Sequence, residues 1–373
     1  MPSLKRRLTG RLIGPDFNGQ MLQILRASPI ESRALAVCFD RQPDIFAMAR
    51  LKYDPVRYVG FFDADRLVGF AMLGFHIGHV GGRPTQVMHL SDYYVLEEFR
   101  GRGTFTEALK VLYREGRDRA KLGYAIVMEG NRAAERLMHR CLHVLSFLMN
   151  GRVIGTLEAR TILVTFRRAH RSAIQVRPAD ASDLDAIVGL LRAEYEPRLF
   201  APVIDREAFL RNLGGRPGCG IDAYYVAESR GRIVGVLAAW DTRAFKQNRV
   251  LRYGPSMQVT RIAYTFMRPV FGFPRLPKPT EAFRDVHITD CAAVDRSPEI
   301  VHALLERVYA DCRRRGYNTI IFASAAQDPI LEAARGFPSE VVRSHIVAFS
   351  TDPELVADGR IDTSMPYVDV ALL

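Results

Sequence analysis

A short apolar segment that runs straight into a basic, glycine-rich turn constrains the fold of this chain most. The segment covers residues 94–105 and ends in Arg100, Gly101, Arg102 and Gly103. Apolar residues then recur at nearly helical spacing, at Phe105, Ala108 and Leu109. This succession predicts a β-strand, a tight turn and an amphipathic α-helix. Thr104 and Glu107 also fit a capping box, which predicts that the helix begins there.

The predicted turn has the properties of an anion site. The first turn of a helix leaves N–H groups without acceptors, and the helix dipole places partial positive charge there. Gly101 and Gly103 allow positive φ and let a phosphate group approach the backbone, while Arg100 and Arg102 add planar donors. The sequence therefore predicts binding of a polyanion such as a pyrophosphate. The alternative is an ordinary tight turn with solvated arginines.

Two segments resemble motifs of the GNAT superfamily of acyl-CoA-dependent N-acyltransferases. The series Arg100-x-x-Gly103-x-Phe105, between a strand and a helix, is similar to motif A of that family. A following strand at 124–128 and then Asn131 resemble motif B. The resemblance covers about residues 10–167. Two positions depart from it, because Phe105 replaces a small residue and Met138 stands where many members have a tyrosine acid.

The resemblance implies that acetyl-CoA or another acyl-CoA is the co-substrate. Backbone groups around two strand residues would hold the pantetheine arm, and the turn would hold the pyrophosphate. Asn131 would contact the arm, cap the next helix, or do both. The implied binding residues are Tyr93, Val95, Arg100, Gly101, Arg102, Gly103, Thr104, Phe105 and Asn131.

The same resemblance suggests catalytic candidates. His89 and Ser91 occupy positions where family members carry a general base, and strict alternation would place both on the face of Tyr93 and Val95. The ordinary pKa of histidine, about 6.5, suits a proton acceptor. The alternative is a structural histidine bonded to a neighbour. Asp92 is a second candidate, which only a β-bulge would bring to that face.

The general acid has no clear candidate. Tyr94 and His139 are the residues considered for it, and the thiolate can also leave without one.

The chain also repeats itself loosely. The segment around Arg66 is echoed around Arg232, and His89 and Asp92 are echoed by His287 and Asp290. The fold class expected is α+β with two tandem GNAT-like domains, each a twisted mixed sheet flanked by helices. The predicted domains are 1–170, which binds acyl-CoA and carries catalysis, and 171–373, a degenerate copy that shapes the substrate cleft or supports the first. Residues 167–172 are the predicted linker.

The second copy lacks the basic turn. Asp295 and Glu299 replace it and would repel phosphate, while Ser297 and Pro298 form a good helix start. The first domain alone is therefore expected to bind the co-substrate. The shared His and Asp also favour a common structural role for these residues over catalysis.

The composition argues against several other classes of protein, namely membrane, secreted and metal-binding proteins. The 373 residues contain 48% hydrophobic and 25% charged side chains, as in an ordinary soluble protein. No apolar run is long enough for a membrane span, the start lacks the apolar region of a secretion signal, and five cysteines without a CxxC pair suggest no metal site. A cytoplasmic protein is expected. The net charge of +11 favours acidic partners, but no nucleic-acid motif accompanies it.

The sequence thus predicts an N-acyltransferase, in the first instance an acetyltransferase, acting on a primary amine of a small molecule or peptide. The alternative from another class is a catalytically weak acyl-CoA-binding pseudo-enzyme or sensor, and a nucleic-acid-binding protein is less favoured. A homodimer is compatible with the expected fold.

Overall fold

The computed structural model describes residues 8–31, 33–144, 150–168, 172–350, 352 and 365–373. The predicted linker falls partly on 169–171, outside the described residues. The helices are α1 (Asn18–Arg26), α2 (Ile45–Arg50), α3 (Thr104–Gly116), α4 (Arg132–Val144), α5 (Leu184–Tyr195), α6 (Arg206–Gly215), α7 (Pro255–Phe271) and α8 (Pro298–Arg315).

The strands are β1 (Thr9–Ile13), β2 (Ile30–Glu31), β3 (Leu35–Asp40), β4 (Val56–Asp63), β5 (Arg66–Val80), β6 (Arg83–Val95), β7 (Leu122–Met128), β8 (Asn150–Leu163), β9 (Gln175–Pro178), β10 (Tyr224–Ser229), β11 (Arg232–Trp240), β12 (Gln247–Tyr253), β13 (Asp285–Ala293), β14 (Thr319–Ala325) and β15 (Ser339–Ser350).

One large mixed sheet organises the molecule. Its twelve strands run in the order β1-β4-β5-β6-β7-β15-β8-β14-β13-β11-β10-β9, and β12-β3-β2 form a small second sheet. The β6–β7 and β13–β14 pairs are parallel, and the other pairs are antiparallel. Helices cover both faces of the first half, with α3 on one side and α1 and α2 on the other. The predicted α+β class with a large mixed sheet is confirmed.

The centre of the sheet joins the two halves of the chain. Strand β15, from the C-terminal half, lies between β7 and β8 and pairs with both. Strand β8, from the N-terminal half, pairs in turn with β14 of the other half. Hydrogen bonds therefore cross the predicted boundary at residue 170 in both directions, and the division into domains stays a prediction.

Local sequence signals placed several elements of the second half correctly. Ser297 accepts a hydrogen bond from the Ile300 amide at 3.3 Å, and Pro298 opens α8, as expected. The helix ends at Gly316, which has a φ of 73°. Helix α5 runs from Leu184 to Tyr195.

Candidate active site

The candidate site lies where the parallel strands β6 and β7 separate. They pair from Val87 opposite Leu122 to Leu90 opposite Ala125, and β6 then continues to Val95 without β7 beside it. Amides and carbonyls that β7 leaves unpaired on this edge can bind an extended ligand that lies in the opening, except the Val95 carbonyl, which accepts from Arg100. The glycine-rich turn follows at the end of β6.

The turn has the backbone conformation that its glycines permit. The φ angles of Gly101 and Gly103 are 76° and 82°, a region that side chains with a Cβ rarely adopt. A Cβ placed on either glycine would meet no atom within 4 Å, so both face open space. The amide of Glu107 makes the first bond of α3, to the carbonyl of Gly103. The amides ahead of it have no acceptor within the helix and remain available to an anion.

The helix start differs from the prediction by one residue. Gly103, not Thr104, is the N-cap of α3, and no side chain caps the helix. The Thr104 hydroxyl is buried and lies 2.7 Å from the hydroxyl of Tyr93. Because this bond occupies Thr104, the expected capping box with Glu107 does not form. The bond instead ties the end of β6 to the first turn of α3.

Three further binding candidates lie at the same place. The Arg100 side chain folds back, and its Nε donates to the Val95 carbonyl at 3.2 Å. The Arg102 guanidinium lies over the Phe99 ring, 4.9 Å from its centroid, and the residue is exposed. Phe105 packs edge-on against Tyr93, with centroids 5.5 Å apart. The structure thus brings the motif A candidates together around one turn.

The motif B candidates lie at the start of α4. The Asn131 side chain accepts a hydrogen bond from the Ala134 amide at 3.1 Å, so it caps α4. Glu135 accepts from the Gly130 amide at 2.8 Å and completes the helix start. Met138 is buried, while His139, its neighbour, is exposed.

The expected shared face of His89, Ser91, Tyr93 and Val95 is wrong, because β6 contains a bulge. Pairing with β5 changes from Phe70 opposite Tyr94 to Met72 opposite Ser91, and Asp92 has a φ of 54°. The extra residue reverses the alternation. Val95 packs towards α3, in the same cluster as Leu90 and Met88. His89 points to the opposite face.

His89 is enclosed by aromatic rings. The Tyr53 hydroxyl lies 2.5 Å from its Nδ1, and its ring stacks on Tyr124 with centroids 4.4 Å apart. Burial, followed by the charge of Lys52, lowers the pKa of His89 well below 6.5. The expectation of a pKa near working pH is therefore not met. The hydrogen bond and the burial match the alternative of a structural histidine, and a role as base stays a prediction.

Asp92 belongs to a buried ion pair on the face of α1 and α2. The bulge turns its carboxylate onto the Arg41 guanidinium, and both side chains are almost fully buried. The Tyr58 hydroxyl also lies 3.5 Å from this carboxylate. Tyr94 packs on Phe70 beside the pair, and burial raises its pKa to about 12. A phenol with this pKa can donate a proton but stays neutral at physiological pH.

The second half also contains a buried aspartate that lies at a β-bulge and pairs with an arginine. Asp290 has a φ of 47° at a bulge in β13, opposite the change of register in β11. Its carboxylate accepts hydrogen bonds from Arg216 at 2.6 Å and from Tyr224 at 2.6 Å. An arginine, a tyrosine and a bulged aspartate thus recur in both halves. This recurrence supports a structural role for Asp92 and Asp290.

The second opening, between β13 and β14, differs from the first. The strands pair only from Asp285 to His287, and residues 365–373 pack beside them. Thr289 donates to Asp369 at 2.9 Å, inside the opening. After β13, Arg296 forms ion pairs with Glu194 at 3.1 Å and with Asp328 at 2.5 Å. The position that corresponds to the anion turn is therefore occupied by internal contacts.

Sequence reasoning missed two features near the site. Lys246 is buried and donates to the Val370 carbonyl at 3.0 Å, and burial, followed by the charge of Arg41, lowers its pKa to about 7. A pocket of about 390 Å³ opens beside α2 and is lined by Arg50, Arg57 and Tyr53, among others. Tyr53 connects this pocket to His89. No local motif marks Lys246 or Tyr53, because each gains its role from distant parts of the chain.

The residues in the ranges that the structure describes contain neither a metal-binding cluster nor a membrane-spanning helix. No group of three or more histidine, cysteine, aspartate or glutamate side chains is arranged to hold a metal ion. No helix in those ranges is both long and apolar enough to pass through a bilayer.

Part of the first half is similar to a known protein family. Residues 21–144 match the model of the acetyltransferase (GNAT) family, a range that contains the opening, the turn and α4. No curated protein matches the chain.

Solved structures share the fold over most of the chain. A GCN5-related N-acetyltransferase from Sphaerobacter thermophilus is 13% identical, with a TM-score of 0.55 over 94% of this chain and 98% of that one. Saccharomyces cerevisiae N-myristoyltransferase with bound myristoyl-CoA is 12% identical, with a TM-score of 0.57 over 94% of this chain and 80% of that one. At these identities the likeness shows the fold. Over residues 21–144 the chain is also similar to the acetyltransferase (GNAT) family model, in agreement with this fold.

Proposed function

We propose that the protein is a CoA-dependent N-acyltransferase, which moves an acyl group, in the first instance acetyl, from acyl-CoA to a primary amine of a small molecule or peptide. The family match supports acyl transfer in general. The observation that carries the proposal is the open strand edge of β6 followed by two glycines with positive φ at the start of α3. This arrangement offers backbone groups to a pantetheine arm and free amides to a pyrophosphate.

The chain's own residues have distinct roles in this proposal. Backbone groups near Tyr93 and Val95 orient the arm, and the amides of Gly103 and Thr104 hold the pyrophosphate. Arg102, exposed beside the turn, adds a cation. The bond from Tyr93 to Thr104 fixes the strand relative to the helix. The C-terminal half supports the sheet through β15 and does not bind the co-substrate, since its own opening is filled.

We place the acceptor in the pocket beside α2. The pocket is lined by Arg50 and Arg57 and also by Asp54, charges of both signs that suit an acceptor with a carboxylate next to its amine. Tyr53 lines the pocket and contacts His89, so a proton from the amine can pass to the histidine through the phenol. The lowered pKa keeps His89 neutral at physiological pH, and it also makes the imidazole a weaker base than an ordinary histidine.

Calorimetric titration with acetyl-CoA and longer acyl-CoAs, followed by thiol release with a panel of amines, tests the proposal. Micromolar binding with amine-dependent thiol release is expected. Binding without thiol release would favour the pseudo-enzyme, which the methionine at 138 supports. No binding of any acyl-CoA would refute the proposal.

A matched pair of variants tests the histidine. His89→Asn should lower turnover at least tenfold without changing acyl-CoA affinity. His287→Asn is the control, because His287 is equally buried, lies at the corresponding position of β13 and contacts Thr242 at 3.2 Å. Equal effects of both variants on turnover would assign His89 a structural role only.

A further inference from the structure

Helix α7 lies on the surface with an apolar face that nothing in the described chain covers. None of its residues is buried, and the side chains of Phe266 and Val270 are each 79% exposed. Val259 is 67% exposed and Ile262 49%. Exposed apolar surface of this kind on a folded protein marks an interaction site when it is contiguous.

The spacing of these residues makes the surface contiguous. Val259, Ile262, Phe266 and Val270 follow one another at intervals of three and four, so they share one face of the helix. The half-buried residues Met257, Arg261 and Tyr264 lie on another face.

That second face holds the helix to the protein. Tyr264 stacks on Phe273 with centroids 4.6 Å apart, and the Arg261 guanidinium lies 5.4 Å from the Tyr253 ring centroid. The first face, the apolar face of α7, therefore points away from the body.

The charge on and around the helix is predominantly positive. Residues 242–280 contain eight lysines and arginines and no aspartate or glutamate. Four of them pair with carboxylates outside this range, Arg243 with Asp241, Arg249 with Asp40, Arg252 with Glu31 and Arg275 with Glu281, and Lys246 is buried. Helix α7 itself carries Arg261 and Arg268 and no acidic residue, and Lys278 follows it. Arg313, in the basic end of α8, donates to the Phe271 carbonyl at 2.6 Å and so joins this end of α8 to the end of α7.

We propose that α7 docks the protein on an anionic membrane surface. The helix lies in the plane of the interface, with its apolar face among the acyl chains and the surrounding cations at the head groups. Apolar residues on one face of a helix whose own charged residues are all positive are the features of an interfacial helix. Its 17 residues span about 26 Å along the surface, at about 1.5 Å per residue.

The same charges disfavour a second copy of this chain as the occupant. A two-fold dimer would place the same patch of both copies face to face. The arginines of one α7 would then lie near those of the other, and the helix carries no acidic side chain to pair with them. Anionic lipid supplies the missing opposite charge.

Sedimentation of the full chain with vesicles tests this proposal without any CoA, so its outcome is independent of the proposed enzyme activity. Vesicles of phosphatidylcholine alone are compared with vesicles containing about one third phosphatidylglycerol. We expect binding to the anionic vesicles that weakens as salt is raised. The double variant Phe266→Asp/Val270→Asp should bind at least about tenfold more weakly, since it removes apolar contacts and adds two like charges to those of the lipid.

Leu210→Asp on α6 is the matched control, because Leu210 is also an exposed apolar residue, at 42%, on a surface helix elsewhere. It should bind like the unchanged protein, and all variants should keep the same Tm. Equal binding of the double variant and the unchanged protein would overturn the proposal. So would a dimer, seen by analytical ultracentrifugation without lipid, that the double variant dissociates.

Discussion

Substitution of Gly103 separates the two properties that the candidate turn needs, its conformation and its charge. Gly103 has a φ of 82°, and a Cβ there would meet no atom within 4 Å. A new side chain therefore costs only the left-handed conformation, about 1 kcal/mol for an ordinary residue and less for asparagine or aspartate. Gly103→Asn and Gly103→Asp impose nearly the same conformational cost and differ in one negative charge.

The charge sets the expected difference. A carboxylate about 4 Å from a phosphate is repelled by about 1 kcal/mol in water and by about 4 kcal/mol at an effective dielectric constant of about 20. Because Gly103 is exposed, the lower part of this range applies. Gly103→Asp should bind acetyl-CoA roughly 5- to 30-fold more weakly than Gly103→Asn, which corresponds to about 1–2 kcal/mol.

Calorimetric titration of both variants measures this difference. Gly231→Asp is the control, since Gly231 has a φ of 72°, also faces open space, and lies in the turn between β10 and β11. It should match the unchanged protein in affinity. If the aspartate and asparagine variants at 103 bound acetyl-CoA equally, the pyrophosphate would not lie at this turn, and the assignment of the site would fail.

Three further predictions concern stability. Asp92→Ala leaves the buried Arg41 without its carboxylate and should lower the free energy of unfolding by about 3–5 kcal/mol in urea titrations, and a loss under 1 kcal/mol would contradict the ion pair. His76, His89 and His287 are all buried with lowered pKa values, that of His76 to about 3. The unfolded chain therefore binds more protons below pH 6.5 than the folded chain does. The free energy of unfolding should fall from pH 7 to 5.5, by up to about 1.4 kcal/mol per pH unit for each histidine. His76→Asn should reduce that slope, and an unchanged slope would show that His76 does not contribute. Asn131→Ala removes the cap of α4 and should cost about 1 kcal/mol, whereas Asn150→Ala, at the first residue of β8, should leave α4 unaffected in hydrogen exchange.

The sequence predicted the local parts of the candidate site well. The turn with Gly101 and Gly103, the helix after it and the position of Asn131 all follow from short-range signals, because backbone freedom and helix capping depend on neighbouring residues. The same holds for Ser297 and Pro298 in the second half.

The sequence did not reveal the bulge at Asp92. Residues 89–95 by themselves predict only a regular strand with strictly alternating side chains. The partner that stabilises the bulge, Arg41, lies some fifty positions earlier in the sequence. The repeated Asp290 was a usable signal, because an aspartate at the same place in both copies suggests a shared backbone requirement. The contact of Tyr53 with His89 likewise depends on distant pairing and could not be predicted from local pattern.

The position of β15 between β7 and β8, two strands of the N-terminal half, has a consequence for biosynthesis. On a ribosome, β7 is complete long before residues 339–350 are made, so its edge must wait unpaired for β15. An unsatisfied strand edge invites association with other chains. The two halves are therefore mutually dependent during maturation, and a fragment cut after residue 170 should aggregate rather than form a small independent enzyme.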